Sequence, residues 1–215
     1  MKHVRGNYDS LEAISAENNA MITASTPPRP TWRILTSLLF IAAYVAMDWA
    51  SYLHPLHGLN ITAWNPAPAL GVVFALRWGR WVLPPLFLSL IAADFFVRGM
   101  PESLPASMLM AGLITVVYYA TGVMLRRLLH AKTLFGNRRD LLIWLLVTSA
   151  GVLTASVCFV TTLYLAKLLP ADLWLEALVR YWIGDSVGVL LCMPLFALLA
   201  DTVLRKRFLG ILANR

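Results

Sequence analysis

The sequence predicts an all-α fold: a polytopic transmembrane helical bundle of about six spans, with both termini in the cytoplasm. Three observations predict it. Of the 215 residues, 59% are hydrophobic and only 13% are charged, where a soluble domain carries roughly a quarter charged. The mean hydropathy is +0.69, and several apolar runs approach the about 20 helical residues that a hydrocarbon core requires. The basic residues, finally, gather in short runs between the apolar segments.

Residues 1–32, ending in Pro27, Pro28 and Pro30, are polar and mixed in charge. They hold no compact apolar core behind a basic start, so they do not read as a cleavable signal peptide. A largely disordered cytoplasmic tail is expected there. The membrane domain covers residues 33–200, with spans at about 34–53, 60–77, 81–97, 105–125, 141–166 and 179–200. The second span is irregular. In WNPAPALGVVFALRWG, Pro66 and Pro68 remove backbone donors, and Asn65 is placed to cap a helix starting at Pro66. The preceding HGLNITAW would descend as non-helical chain, which survives at membrane depth only against protein or a wet cavity. RWGR at 77–80 leaves room only for a tight turn, making spans two and three antiparallel neighbours. The basic loop at 126–140 suits either a topology determinant or contact with an anionic leaflet. After Asp201, the apolar Leu204, Phe208, Ile211 and Leu212 recur at helical spacing. Residues 201–215 therefore read as a cytoplasmic helical extension, toward a coiled coil or along the lipid phosphates.

Orientation follows from charge. With the N-terminus inside, fifteen of the 18 Lys and Arg residues fall on inner segments, leaving Arg98, Lys167 and Arg180 outside. The pI of about 9.8 thus reflects topology. Nucleic acid is not an expected partner, because no basic face with interleaved aromatics is present.

Asp48, Asp94 and Asp185 lie within spans one, three and six. Counted from the helix ends, all three sit about 5–9 Å below the outer boundary. An ionised aspartate at a helix centre costs roughly 2.5–3.5 kcal/mol to insert, and intramembrane acids are functional-site candidates by default. Asn65 and the cations Arg98, Lys167 and Arg180 fall near the same level, as do His54 and His57. Two readings stay open for Asp185: a ligand-facing acid, or half of an ion pair joining helices. Gly184 and Gly188 form a GxxxG spacing, which favours close helix approach whatever the acid does. Asp94 equally suits a headgroup-facing position beside Arg98. Candidate ligand-binding residues are therefore Asp48, Trp64, Asn65, Asp94, Arg180, Trp182 and Asp185. Trp64 and Trp182 join the set because each adjoins a polar, helix-irregular segment where an indole could cover a ligand. The other tryptophans near span ends suit a membrane belt. His54 and His57, three apart in a loop, are only weak metal candidates, and no metal site is assigned. Cys158 and Cys192 fall in apolar spans with no redox or metal spacing. No cofactor is indicated.

Four motifs occur in a recognisable order: WNPAPALG, LRWGRWVLPP, NRRDLLIWLL and WIGDSVGVLLCMP. Over about residues 33–200 the chain resembles the membrane-associated sensor family, type one, a bacterial integral-membrane input domain. The last motif is the most specific. The matching positions are Trp64, Pro66, Gly71, Gly79, Arg139, Asp140, Trp182, Gly184, Asp185, Gly188 and Pro194. The family's usual Trp-Pro-Pro-x-Gly element departs here to WNPAPALG, and members often have more crossings than the six read here. The resemblance implies a sensory module in the bacterial inner membrane, placed before histidine kinases, diguanylate cyclases and related outputs. Expected partners are the lipid bilayer, an unknown small ligand or ion, a cytoplasmic output domain and a second copy in a homodimer. An enzymatic role is not expected, since no nucleophile–base pair or HExxH motif lies in any span. The alternative is a small transporter or channel using its intramembrane aspartates.

Overall fold

The computed structural model describes residues 30–52, 62, 64–100, 103–129 and 138–200. Residues 1–29 of the expected 1–32 tail, the weak metal candidates His54 and His57, loop residues 130–137 and the extension 201–215 lie outside the described residues. Six α-helices account for most of the rest: α1 (Pro30–Ser51), α2 (Ala67–Trp78), α3 (Leu83–Phe96), α4 (Leu104–Leu128), α5 (Arg138–Leu165) and α6 (Trp174–Ala200). One 3₁₀ turn, Gly79–Val82, joins α2 to α3, and another, Ala171–Leu173, precedes α6. Among the described residues there is no strand.

Five helical stretches are long and apolar enough to cross a membrane: Thr31–Ser51, Ala67–Phe96, Leu104–Leu128, Arg138–Leu165 and Ala171–Ala197. The second of these is folded back on itself. A Cβ on Gly71 would lie 3.1 Å from Leu86 Cδ1, although fifteen residues of continuous helix would separate them by ~22 Å. The chain reverses at Gly79, whose φ of 59° suits glycine. RWGR is thus the tight turn its length suggests, and α2 is a half-length helix of 12 residues.

Two compact units, Met1–Ser37 and Leu38–Arg215, divide the chain; the helices pack together within the second. At its centre lies α2, buried at Ala67 through Val73 and at Ala75. Small residues make this possible, because lipid supplies no hydrophobic drive between helices and close backbone approach must replace it. Gly71, Ala75 and Gly79 recur every four residues and meet Tyr118, Gly122 and Arg126 of α4 in the same order. The two helices therefore run parallel. A Cβ on Gly122 would come within 2.9 Å of the Val72 carbonyl oxygen and the Leu76 nitrogen. Antiparallel to α4 runs α5, with Gly151 set against the Thr121 side chain. Phe159 of α5 stacks on Tyr181 of α6 at 4.3 Å, and the Trp144 indole N–H donates to Met193 Sδ at 3.0 Å. On α1 a narrow stripe, Phe40, Tyr44, Asp48 and Ser51, is buried, and Phe40 meets the Phe74 ring at 4.4 Å.

Two boundaries differ from the sequence-based expectation for physical reasons. The last helix starts at Trp174 instead of about 179, directly after the 3₁₀ turn Ala171–Leu173, and its first turns carry an exposed i,i+4 ion pair of Glu176 and Arg180 at 2.8 Å. The first starts at Pro30 instead of about 34, since proline is tolerated at the first helical position. Lys167 closes α5 with φ 62°; its N–H bonds to the Tyr164 carbonyl, and the Leu168 N–H bonds to that of Leu163.

Candidate functional site

Asp185 lies eleven residues past the start of α6, ~16 Å along the helix axis. The helix begins earlier than the sequence suggests, and Asn65, which bonds to Asp185, also lines the cavity that Asp48 and Asp94 touch. Its carboxylate is buried, with 1% exposure. The side-chain amide of Asn65 donates to Oδ1 at 3.0 Å, and the Tyr118 hydroxyl donates to Oδ2 at 3.0 Å. Both partners are neutral. The pairing of Asp185 with an outer arginine, one of the two readings open from sequence, is not what the geometry shows.

Asn65 is the joint between the broken segment and α6. Its N–H donates to the Gly184 carbonyl at 3.1 Å. Its Oδ1 accepts from the Ala67 N–H at 3.2 Å, in the capping role expected of it. Pro66 and Pro68 bring no N–H, and the Ala69 N–H bonds to Pro66 O at 3.1 Å. A helix start buried inside the bundle thereby has its first donors met, which the low dielectric demands. Gly188 completes the joint. A Cβ there would collide with the Asn65 carbonyl group. Gly184 thus offers its carbonyl and Gly188 its missing side chain, and the chain around Asn65 crosses α6 between them.

A second polar group is built by Asp48 of α1, with Asp94 and Arg98 at the end of α3. Arg98 Nη2 donates to both Asp48 oxygens, at 2.9 and 3.0 Å, and Nη1 donates to Asp94 Oδ1 at 3.3 Å. The three side chains are 1%, 2% and 6% exposed for Asp48, Asp94 and Arg98. Burial works against the guanidinium charge, yet Asp48 and Asp94 more than offset it, so Arg98 is held above the ordinary arginine range. The backbone is shaped to bring it back: Gly99 and Met100 have φ of 71° and 52°, and the Met100 N–H returns to Asp94 O at 3.0 Å. Asp94 is therefore interior, which sets aside the headgroup-facing alternative. Its Oδ2 is buried and has no hydrogen-bond partner.

A small cavity of about 10 Å³ touches both groups, with Asp48, Asp94, Arg98, Asn65, Tyr44 and Tyr181 in its wall. That is room for about one water molecule. The structure thus gathers Asp48, Asn65 and Asp94 around one hollow, with Asp185 behind Asn65. Other candidates stand apart. Arg180 is exposed in its ion pair with Glu176. Trp64 is 38% exposed, and its carbonyl accepts the Thr62 hydroxyl at 3.0 Å. Trp182 is half-buried with an unpartnered indole N–H, but the helix around it is regular, contrary to the irregular segment expected there. Sequence reasoning missed Tyr44, Tyr118 and Tyr181. Tyr44 and Tyr181 each precede an aspartate by four residues on the same helix face, and that spacing was the available signal. Tyr118 has no local signal, since only the fold brings α4 to Asp185.

No curated protein and no solved structure matches the chain. Residues 32–212, which include the joint between α2 and α6, match the MASE1 family, and the chain belongs to this family of membrane-associated sensor domains of signalling proteins.

Proposed function

We propose that the chain is the signal-input domain of a bacterial inner-membrane signalling protein. A six-crossing topology, with α2 and α3 taken as a re-folded pair, and the fifteen-to-three bias of basic residues support a cytoplasmic location for both termini. A ligand or ion arriving from the periplasmic side meets the group formed by Asp48, Asp94, Arg98, Asn65 and Asp185. Its preference for one arrangement of that group biases α6, whose inner end leads to a cytoplasmic output of the histidine kinase or diguanylate cyclase class. A ligand shifts such an equilibrium only through its differential affinity for the two arrangements.

The observation that carries this reading is the double grip of Asn65 on α6, through Gly184 O and Asp185 Oδ1. A change at Asn65 or Asp185 therefore bears directly on α6. Asp185→Asn removes the charge while keeping the shape: the new amide can accept from Asn65 and donate to the Tyr118 oxygen. In the full-length protein this variant should reach the membrane at wild-type levels and shift the output activity severalfold. Unchanged output and unchanged response to stimulus would remove Asp185 from the sensory mechanism.

A further inference from the structure

The cavity walled by Asn65 and by residues of α1, α3, α4, α5 and α6 holds more acid than base among the described residues. Two carboxylates, Asp48 and Asp94, face one guanidinium. Both Asp48 oxygens and Asp94 Oδ1 are taken by Arg98, which leaves Asp94 Oδ2 buried without a partner. An unpaired carboxylate oxygen in a low-dielectric interior is among the costlier features a fold can hold, and buried charges ordinarily pair or coordinate. The hollow beside it has room for one water-sized body. A neutral water would satisfy the oxygen but leave two carboxylates to one guanidinium among the described residues.

We infer that this hollow binds a single monovalent cation about the size of a water molecule, coordinated by Asp94 Oδ2 with oxygens from the cavity wall. Ser107, Tyr44, Tyr181 and Asn65 line the same space and supply neutral oxygens. A divalent ion is disfavoured by its own chemistry. Such ions collect several carboxylates, and among the described residues no three His, Cys, Asp or Glu side chains stand together as a metal-holding group. An anion is disfavoured because Arg98 is already spoken for by two acids. This inference rests on the sensory reading, and names the class of ligand for that same site.

The test uses the full chain in lipid nanodiscs at constant ionic strength, with chloride salts of lithium, sodium, potassium, ammonium and choline. Choline is too large for the hollow and serves as the reference. One or more of the small cations should raise Tm by several degrees over choline, saturably, as expected of a ligand bound to the native state alone. Asp94→Asn, which keeps an oxygen for Arg98 and loses the charge, should abolish the ion-dependent rise. Asp172→Asn, an exposed acid on the turn before α6, should keep it. Identical Tm in all five salts for the wild-type chain would overturn the site and leave a structural water as its occupant, whatever the variants do. The two readings fail separately. Specific cation stabilisation with no change in the full-length output retains the site and removes its sensory role. A strong effect of Asp185→Asn on output with no cation dependence of Tm removes the site and keeps the sensor.

Discussion

Arg98 serves carboxylates from two helices with a single planar fork, and geometry matters as much as charge in that role. Both Asp48 oxygens converge on Nη2 while Asp94 uses Nη1, an arrangement that a point-charge ammonium cannot reproduce. Arg98→Gln strands two buried acids and should lower unfolding stability by about 3–5 kcal/mol. Arg98→Lys should fall between it and wild type, both read by thermal or denaturant unfolding in one detergent. The double variant Arg98→Gln with Asp94→Asn should recover part of the loss, because one stranded charge goes with its partner. The linkage sign is fixed by the direction of the arginine shift. A folded-state value above the ordinary one gives stabilisation that is complete below the arginine range and is lost only as pH rises through it. Stability should therefore show no slope from this guanidinium across neutral pH.

Where α2 enters the bundle, a half-helix is held between neighbours by absent side chains as much as by present ones. Gly188→Ala places a methyl group against the backbone carbonyl of Asn65, and backbone yields less readily than a flexible side chain. Overpacking of this kind costs about 1–3 kcal/mol and sometimes more. The variant should lose ~3 kcal/mol and should lose the grip on Gly184 and Asp185 as well, so output becomes insensitive to stimulus. An Ala variant with wild-type unfolding and wild-type signalling would show that α2 and α6 separate at this point. This joint was half legible in the sequence. Two prolines in WNPAPALG announce missing donors, and Asn65 announces its cap, because both are local properties of the chain. The partners of Asp185 were not legible: Tyr118 reaches its carboxylate from α4, a helix distant in sequence, and only the fold brings the two together. Nor was the small size of the hollow. Met110, Ala111 and Phe159 fill it from α4 and α5, and packing across distant elements leaves no period in the sequence.

At the scale of the whole molecule, stability is unevenly spread, and α1 lies at its weak end. Only 22% of its most apolar window is buried inside the protein, against 44% for α4. From Leu38 onward it presents one narrow stripe to the other helices, and Leu38, Leu39 and Trp49 are exposed. The bond from Asp48 to Arg98 is the polar fastening near its C-terminal end, and Phe40 and Tyr44 supply the apolar contacts. Local opening should follow the least-buried element first. Asp48→Asn weakens the fastening without changing the shape of the side chain. Hydrogen exchange should then accelerate about tenfold or more at the last turn of α1, residues 47–52, while α2, α4 and α5 exchange as in wild type. A tenfold change corresponds to about 1.4 kcal/mol of opening free energy, modest for a charge-assisted pair that is 1% and 6% exposed. Uniform acceleration across all helices would instead mean that Asp48 supports the global fold. In that case a cation drawn to the neighbouring Asp94 could not act through α1 alone, and its effect would have to pass through Asn65 to α6.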